Sequence, residues 1–263
     1  MALLGIQSDV NSSFLRGARE APPRIRAALH DGASNWTSER GLDLEKEERF
    51  VDAGDREIEE TPEGYLEIEK HLEEILQAGA SPLVLGGDHA ITYPLMRAVT
   101  RRVGAPTILQ FDAHSDLYDV FEGNRYSHAC PFARIMEEGL ASRLVQVGIR
   151  TGNSLQSAQA RRFGVEVHEM RTFGADSFDP RLEGPVYISF DMDCLDPSCA
   201  PGVSHHEPGG LTVREVVSVL HRIEAPVIGA DIVEYNPSRD VHDMTARVGA
   251  KMVKELAALL LAR

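Results

Sequence analysis

Short, almost uninterrupted apolar runs that end abruptly in glycine or aspartate constrain this chain most. LVLGG (83–87), TILQF (107–111) and VYISF (186–190) are the clearest. A strand with one wet face alternates apolar and polar residues, whereas a run apolar throughout must be covered on both faces, as in a parallel sheet flanked by helices. Strands are expected at Leu3–Gln7, Phe50–Ala53, Leu83–Leu85, Thr107–Phe111, Leu144–Ile149, Val165–Glu169, Val186–Phe190 and Val227–Asp231. Helical stretches fill the gaps at Pro22–His30, Pro62–Ala78, Ala90–Val103, His128–Glu138, Ser154–Arg162, Val213–Ile223 and Thr245–Leu261. This order implies right-handed crossovers and a doubly wound α/β sheet. No linker divides the chain, so one domain over residues 1–263 is expected.

Punctuation supports the helices. Thr61 and Pro62 suit an N-cap and a first helical position. Thr212 with Glu215 forms a capping-box pattern, and Gly79 and Gly104 suit left-handed stops. The polar, aperiodic segment Ala33–Glu48 reads as a surface loop, and Asp119–Ser127 as a second loop just past a strand end. Asp52 and Asp55 are expected to stabilise a turn, Arg150 to serve packing or a salt bridge, and Trp36 to anchor a surface loop.

Composition excludes several function classes. The net charge of −14 repels nucleic-acid phosphates and anionic membranes and mildly favours a cationic ligand. No apolar stretch approaches the ~18 residues of a membrane helix. Cys130, Cys194 and Cys199 include no CxxC pair and read as free thiols. The start, MALLGIQSDV, shows neither a secretory pattern nor an Arg-rich transit pattern, so a cytoplasmic location is expected.

In open α/β sheets ligands bind beyond the carboxyl ends of the strands. Three of those ends carry metal-type ligands. LVLGGDHA supplies Asp88 and His89; LQFDAHSD supplies Asp112, His114 and Asp116; YISFDMDCLDP supplies Asp191 and Asp193, with Asp196 beyond. On an extended segment residues i, i+2 and i+4 share a face, so Asp112, His114 and Asp116 are expected to converge, as are Asp191 and Asp193. Four carboxylates balance two divalent ions, with His89 and His114 as neutral ligands; without metal they would repel and take up protons. Oxygen and imidazole donors without thiolate favour Mn²⁺, with Fe²⁺, Co²⁺ and Ni²⁺ as alternatives. A lone Asp or His at a strand end is usually a cap, but three such sets on one rim are not explained that way.

GGDHA, DAHSD and SFDMDCLDP together resemble the signature of the ureohydrolase family, which includes arginases, agmatinases and related guanidino hydrolases. FEGNRYSHACPFARIMEEG, VGIR, APGVSHHEPGGLT and GADIVEYNPSRD extend the likeness from about Gly86 to Lys254, and the pattern is most similar to plant-type arginases. Ala90, where many members carry Ser, is a departure that touches no proposed ligand. The resemblance implies a three-layer α/β/α domain around a parallel sheet of about eight strands, assembled as a homotrimer or homohexamer. It implies two Mn²⁺ per subunit. His89, Asp112, Asp116 and Asp191 would hold one, and Asp112, His114, Asp191 and Asp193 the other. The implied reaction is hydrolysis of a small cationic guanidino compound, L-arginine to L-ornithine and urea. Agmatine to putrescine and urea, or another guanidino or formimino substrate, is the alternative.

Glu234, just past the apolar run VIGADIV, is expected to grip the guanidinium through paired charge-assisted hydrogen bonds. His128 is the candidate proton shuttle. Asn124 and Arg125, on the loop before it, are candidates for the substrate tail. His205 and His206 are candidates for the entrance. Two rivals remain: a one-zinc, deacetylase-like amidohydrolase on the same fold, and a metal-stabilised protein without activity.

Overall fold

The computed structural model describes residues 1–61, 64–175, 178–179 and 181–262. Eight strands form one sheet: β1 (Ala2–Gln7), β2 (Val51–Glu57), β3 (Pro82–Leu85), β4 (Thr107–Phe111), β5 (Arg143–Ile149), β6 (Glu166–Glu169), β7 (Val186–Asp191) and β8 (Val227–Val233). Every pairing is parallel, in the order β2-β1-β3-β8-β7-β4-β5-β6. The helices are α1 (Ala21–His30), α2 (Gly64–Gln77), α3 (Thr92–Val103), α4 (Pro131–Glu137), α5 (Ser154–Phe163), α6 (Val213–His221) and α7 (Met244–Leu261).

Strand residues alternate between two apolar layers. Leu3, Leu83, Leu85, Leu109 and Phe111 face a core with α1, α6 and α7. Leu4, Val84, Ile108, Leu144 and Tyr187 face the opposite core with α2, α3 and α4. Both faces are therefore dry, which is why the central strands read as continuous apolar runs.

Edges moved where sequence patterns were polar. Strand β2 continues to Glu57 instead of stopping at Ala53. Asp52 and Asp55, expected in a turn, lie within it and flank Arg26 of α1, whose Nη2 is 2.9 Å from Asp52 and whose Nη1 pairs with Asp55. An edge strand with a polar face carries no apolar signature. Helix α4 begins at Pro131 rather than His128, because 127–130 form a turn closed by Cys130 N donating to Ser127 O at 2.8 Å. The capping box at Thr212 and Glu215 forms as expected. The cap expected at Thr61 and Pro62 falls partly outside the described residues, Pro62 not being among them.

Candidate metal centre and substrate cavity

The neighbours β3, β8, β7 and β4 occupy the middle of the sheet, and their carboxyl ends deliver the candidate residues to one point. The local device is not an extended strand. Each acidic motif makes a tight turn in which an aspartate accepts from the amide two residues on: Asp88 from Ala90 (3.1 Å), Asp112 from His114 (2.6 Å) and Asp191 from Asp193 (2.8 Å). Residues i and i+2 meet where the chain leaves the strand and enters a turn, not along a continued extended segment as strand alternation supposed. Gly87 is required by close approach, since a Cβ there would lie 1.6 Å from Ser8 O.

His89 Nδ1 lies 3.1 Å from Asp112 Oδ2, 3.1 Å from Asp116 Oδ2 and 3.1 Å from Asp191 Oδ2. His114 Nδ1 lies 3.1 Å from Asp193 Oδ2 and 3.5 Å from Asp112 Oδ1. Two groups result, His89–Asp112–Asp191 and Asp112–His114–Asp193, each with ligand atoms within 4.8 Å of one another. Asp112 belongs to both. Among the described residues the buried Nδ1 of His89 has no hydrogen bond of proper geometry despite its three carboxylate neighbours. Its lone pair and theirs are aimed at a common focus, the arrangement a cation fills.

Electrostatics agree with that fit. Burial, with Asp193 and Asp112 beside it, pushes Asp191 well above the usual carboxylate range, and burial with Asp112 lifts Asp116 to about 6. Burial opposes charge on His89 and His114, yet the surrounding carboxylates hold both well above the ordinary imidazole value. With His89 and His114 as its adjoining cations, the cluster must retain protons; divalent cations supply further positive charge directly.

Supporting residues escaped the sequence reading. Gln110 Nε2 donates to Asp112 Oδ2 at 2.7 Å, and Gln146 Nε2 donates to Gln110 Oε1 at 2.7 Å and to Ser115 O at 2.7 Å. Both glutamines are fully buried. Their signal was a polar letter inside a run dry on both faces, where an amide must have partners. Arg150 forms no salt bridge among the described residues. Its guanidinium donates to the carbonyls of Gly148, Asp193, Cys194, Leu195 and Glu207, clamping the metal-motif loop to the 203–210 loop.

A cavity of about 170 Å³ opens over the cluster, lined among others by Ser13, His128, Thr151, Gln156, His205 and Glu234. His128 Nδ1 is 2.8 Å from Glu234 Oε1, which also accepts from His89 N at 2.8 Å. The Ser13 amide reaches His128 Nε2 at 3.2 Å and its hydroxyl at 2.7 Å. Burial opposes a proton on His128, but Glu234 outweighs it and raises the group to about 9; the same pair lowers Glu234 to about 2 against its burial. Ser13 arrives on a loop held by Asp88, which accepts from Asn11 N (3.0 Å) and Ser12 Oγ (3.3 Å); no motif announced it. His205 lines the cavity and makes ring contacts with Phe14, His114 and His128, whereas exposed His206 turns to Pro201 O at 2.6 Å.

Asn124 and Arg125 are not brought to this cavity. Asn124 Nδ2 donates to Asn11 Oδ1 at 2.9 Å, and its Oδ1 accepts from Tyr126 N at 2.8 Å. Arg125, about half exposed, pairs with Asp119 (2.9 Å) and Glu137 (3.1 Å). Proximity to His128 in sequence did not fix direction, and the guanidinium found nearer carboxylates.

The model of the arginase family matches residues 1–258. The chain is 50% identical to "Arginase 1, mitochondrial" of Arabidopsis thaliana over 98% of this chain and 80% of that protein. It is 32% identical to "Agmatinase, mitochondrial" of Gallus gallus over 98% of this chain and 80% of that protein. The solved structure of arginase from Medicago truncatula superposes with a TM-score of 0.92 at 46% identity, covering 98% of this chain and 86% of that one. These comparisons overturn the expected cytoplasmic location, because plant relatives from Arabidopsis thaliana and Medicago truncatula are named as mitochondrial or chloroplastic/mitochondrial. Organelle addresses are carried by targeting segments that are processed apart from the fold, so a catalytic body does not report them. Matched along nearly its whole length, with all three acidic motifs inside the match, this chain belongs to the arginase family, metal-dependent hydrolases of C–N bonds in linear amidines.

Proposed function

We propose that the protein is an arginase, hydrolysing L-arginine to L-ornithine and urea with two Mn²⁺ per subunit. One observation carries the reading: two ligand groups that share Asp112 lie beneath a cavity walled by the His128–Glu234 pair. The higher identity to plant arginases than to agmatinase favours arginine over agmatine. We assign His89, Asp112, Asp116 and Asp191 to one ion and Asp112, His114, Asp191 and Asp193 to the other. The whole chain acts as one catalytic domain and assembles as a homotrimer or homohexamer, which sedimentation tests.

The two ligand groups would hold a divalent pair, which when bound would supply the Lewis acidity that lowers the pKa of water toward neutral. The chain's own residues do the rest. Glu234 offers the guanidinium a carboxylate already lowered by His128, and its Oε2 accepts no hydrogen bond from a described residue. Charge-assisted pairing there orients the substrate carbon over the cluster. His128 retains a proton at neutral pH and delivers it to the departing amine, which is a poor leaving group unprotonated. Gln156 faces the same cavity with its Oε1 buried and without a hydrogen-bond partner among the described residues; it accepts from the α-ammonium of the substrate.

Urea release should be measured with manganese on arginine, agmatine, guanidinobutyrate and guanidinopropionate, with formamide followed for formiminoglutamate. Arginine should be turned over with the highest kcat/KM. Preference for another compound replaces the substrate assignment, and no release from any of them leaves the inactive metal-binding reading. One bound metal per chain revives the deacetylase-like alternative.

A further inference from the structure

Behind the cavity, on the side of His89 away from the focus, lies a buried polar chain that the proposed reaction does not use. His89 Nε2 is 2.9 Å from Ser189 Oγ, and Ser189 Oγ donates to Asp231 Oδ1 at 2.8 Å. Asp231 Oδ2 accepts from Thr92 Oγ1 at 3.0 Å and from Tyr187 OH at 3.0 Å. His89, Thr92, Ser189, Tyr187 and Asp231 are all shut off from solvent. Ser189 and Asp231 are register partners across β7 and β8. Asp231 belongs to the same GADIVEYNPSRD motif as Glu234.

We infer that Asp231 is a positioning residue that fixes the tautomer of His89 through Ser189, and so holds the cation at the His89 focus. This rests on the dinuclear reading above. A hydroxyl has one proton to give. Three hydroxyls converge on Asp231, an acceptor-only group as a carboxylate, so the Ser189 proton is committed there. Ser189 can then offer His89 only a lone pair, and Nε2 must be the nitrogen that carries the ring proton. That leaves the Nδ1 lone pair pointing at the focus shared with Asp112, Asp116 and Asp191. A proton on Nδ1 would block coordination outright. Imidazole ligands are commonly fixed in this way by an acceptor at the second nitrogen, and loss of that acceptor weakens metal binding. Here the carboxylate acts at one remove, with a serine between.

The alternative is that Asp231 merely ties β7, β8 and α3 together. Asp231→Asn keeps size but presents a donor as well as an acceptor, so the Ser189 proton is no longer committed. Ser189→Ala removes the link while leaving Asp231 its other two donors, and keeps the test valid should D231N fold poorly. Full-length wild type, D231N, S189A and the double variant should be stripped with chelator and titrated with Mn²⁺, reading free ion by electron paramagnetic resonance and bound metal per chain. Thermal unfolding of the metal-free forms runs alongside. We expect each single variant to weaken one of two bound ions by about 10–100-fold, out of proportion to any change in metal-free melting, with the double variant no worse than the weaker single. Wild-type affinity in either single variant, or losses that add in the double, overturns the relay. A wild type that binds no Mn²⁺ removes the dinuclear reading itself, a result distinct from failure of the relay.

Discussion

Asp116 and Glu234 both hold left-handed backbone, at φ 49° and 64°, where side chains other than glycine are strained by about 1–3 kcal/mol each. Both border the cavity, and the fold tolerates the strain because it aims a carboxylate. Asp112 is the most exposed to test because it serves both ligand groups. D112A should lose bound metal together with turnover, and metal analysis showing full retention would refute its bridging place. His128→Asn should lower kcat by about 10²–10⁴ with KM nearly held, as expected for a group that moves a proton rather than binding substrate. A change confined to KM would remove it from proton transfer. Arg125→Ala should alter KM for arginine and agmatine equally, since its partners are Asp119 and Glu137 rather than substrate. A selective rise for arginine would restore the reading its sequence position suggested.

At the scale of elements, α7 is docked by a buried acid. Glu255 accepts from Glu39 N (2.8 Å), Lys251 Nζ (2.6 Å) and His221 Nε2 (2.9 Å). Burial pushes its carboxyl up, but these donors outweigh burial and hold it below the ordinary 4.5. A carboxylate lowered in the folded state adds stability above its unfolded value, and that stability is lost as pH falls through the folded value. E255Q should therefore cost about 1–3 kcal/mol near neutral pH, with the gap to wild type closing below pH 4.5. Denaturant melts across pH check this, and a gap constant with pH would mean that packing, not charge, docks the helix. Much of this element scale was legible in advance. Among the described residues the central strands and most helices stand where apolar periodicity put them, because both sheet faces are dry. Strand β2 and the start of α4 were misjudged where polar edges and turn residues mask the pattern.

For the whole molecule, net charge of −14 surrounds a site built for a cation. Such a field raises the encounter rate of cationic ligands and is screened by salt. The kcat/KM for agmatine, which lacks the carboxylate of arginine, should fall more steeply with ionic strength than that for arginine. Parallel slopes would show that the field plays no part in capture.

The acidic motifs, their order and the dry strands before them are properties of the chain itself, since hydrophobic burial dictates which runs become central strands and which letters follow them. Residue types with ligand chemistry, and thus the family, follow from that alone. Tertiary structure decided what faces what. It turned Arg125 outward, brought Ser13 from the far end of the chain onto His128, and buried Gln110, Gln146 and Asp231 behind the candidate ligands. Hydrogen bonds between residues distant in sequence depend on strand order and loop direction, and neither is encoded in local periodicity.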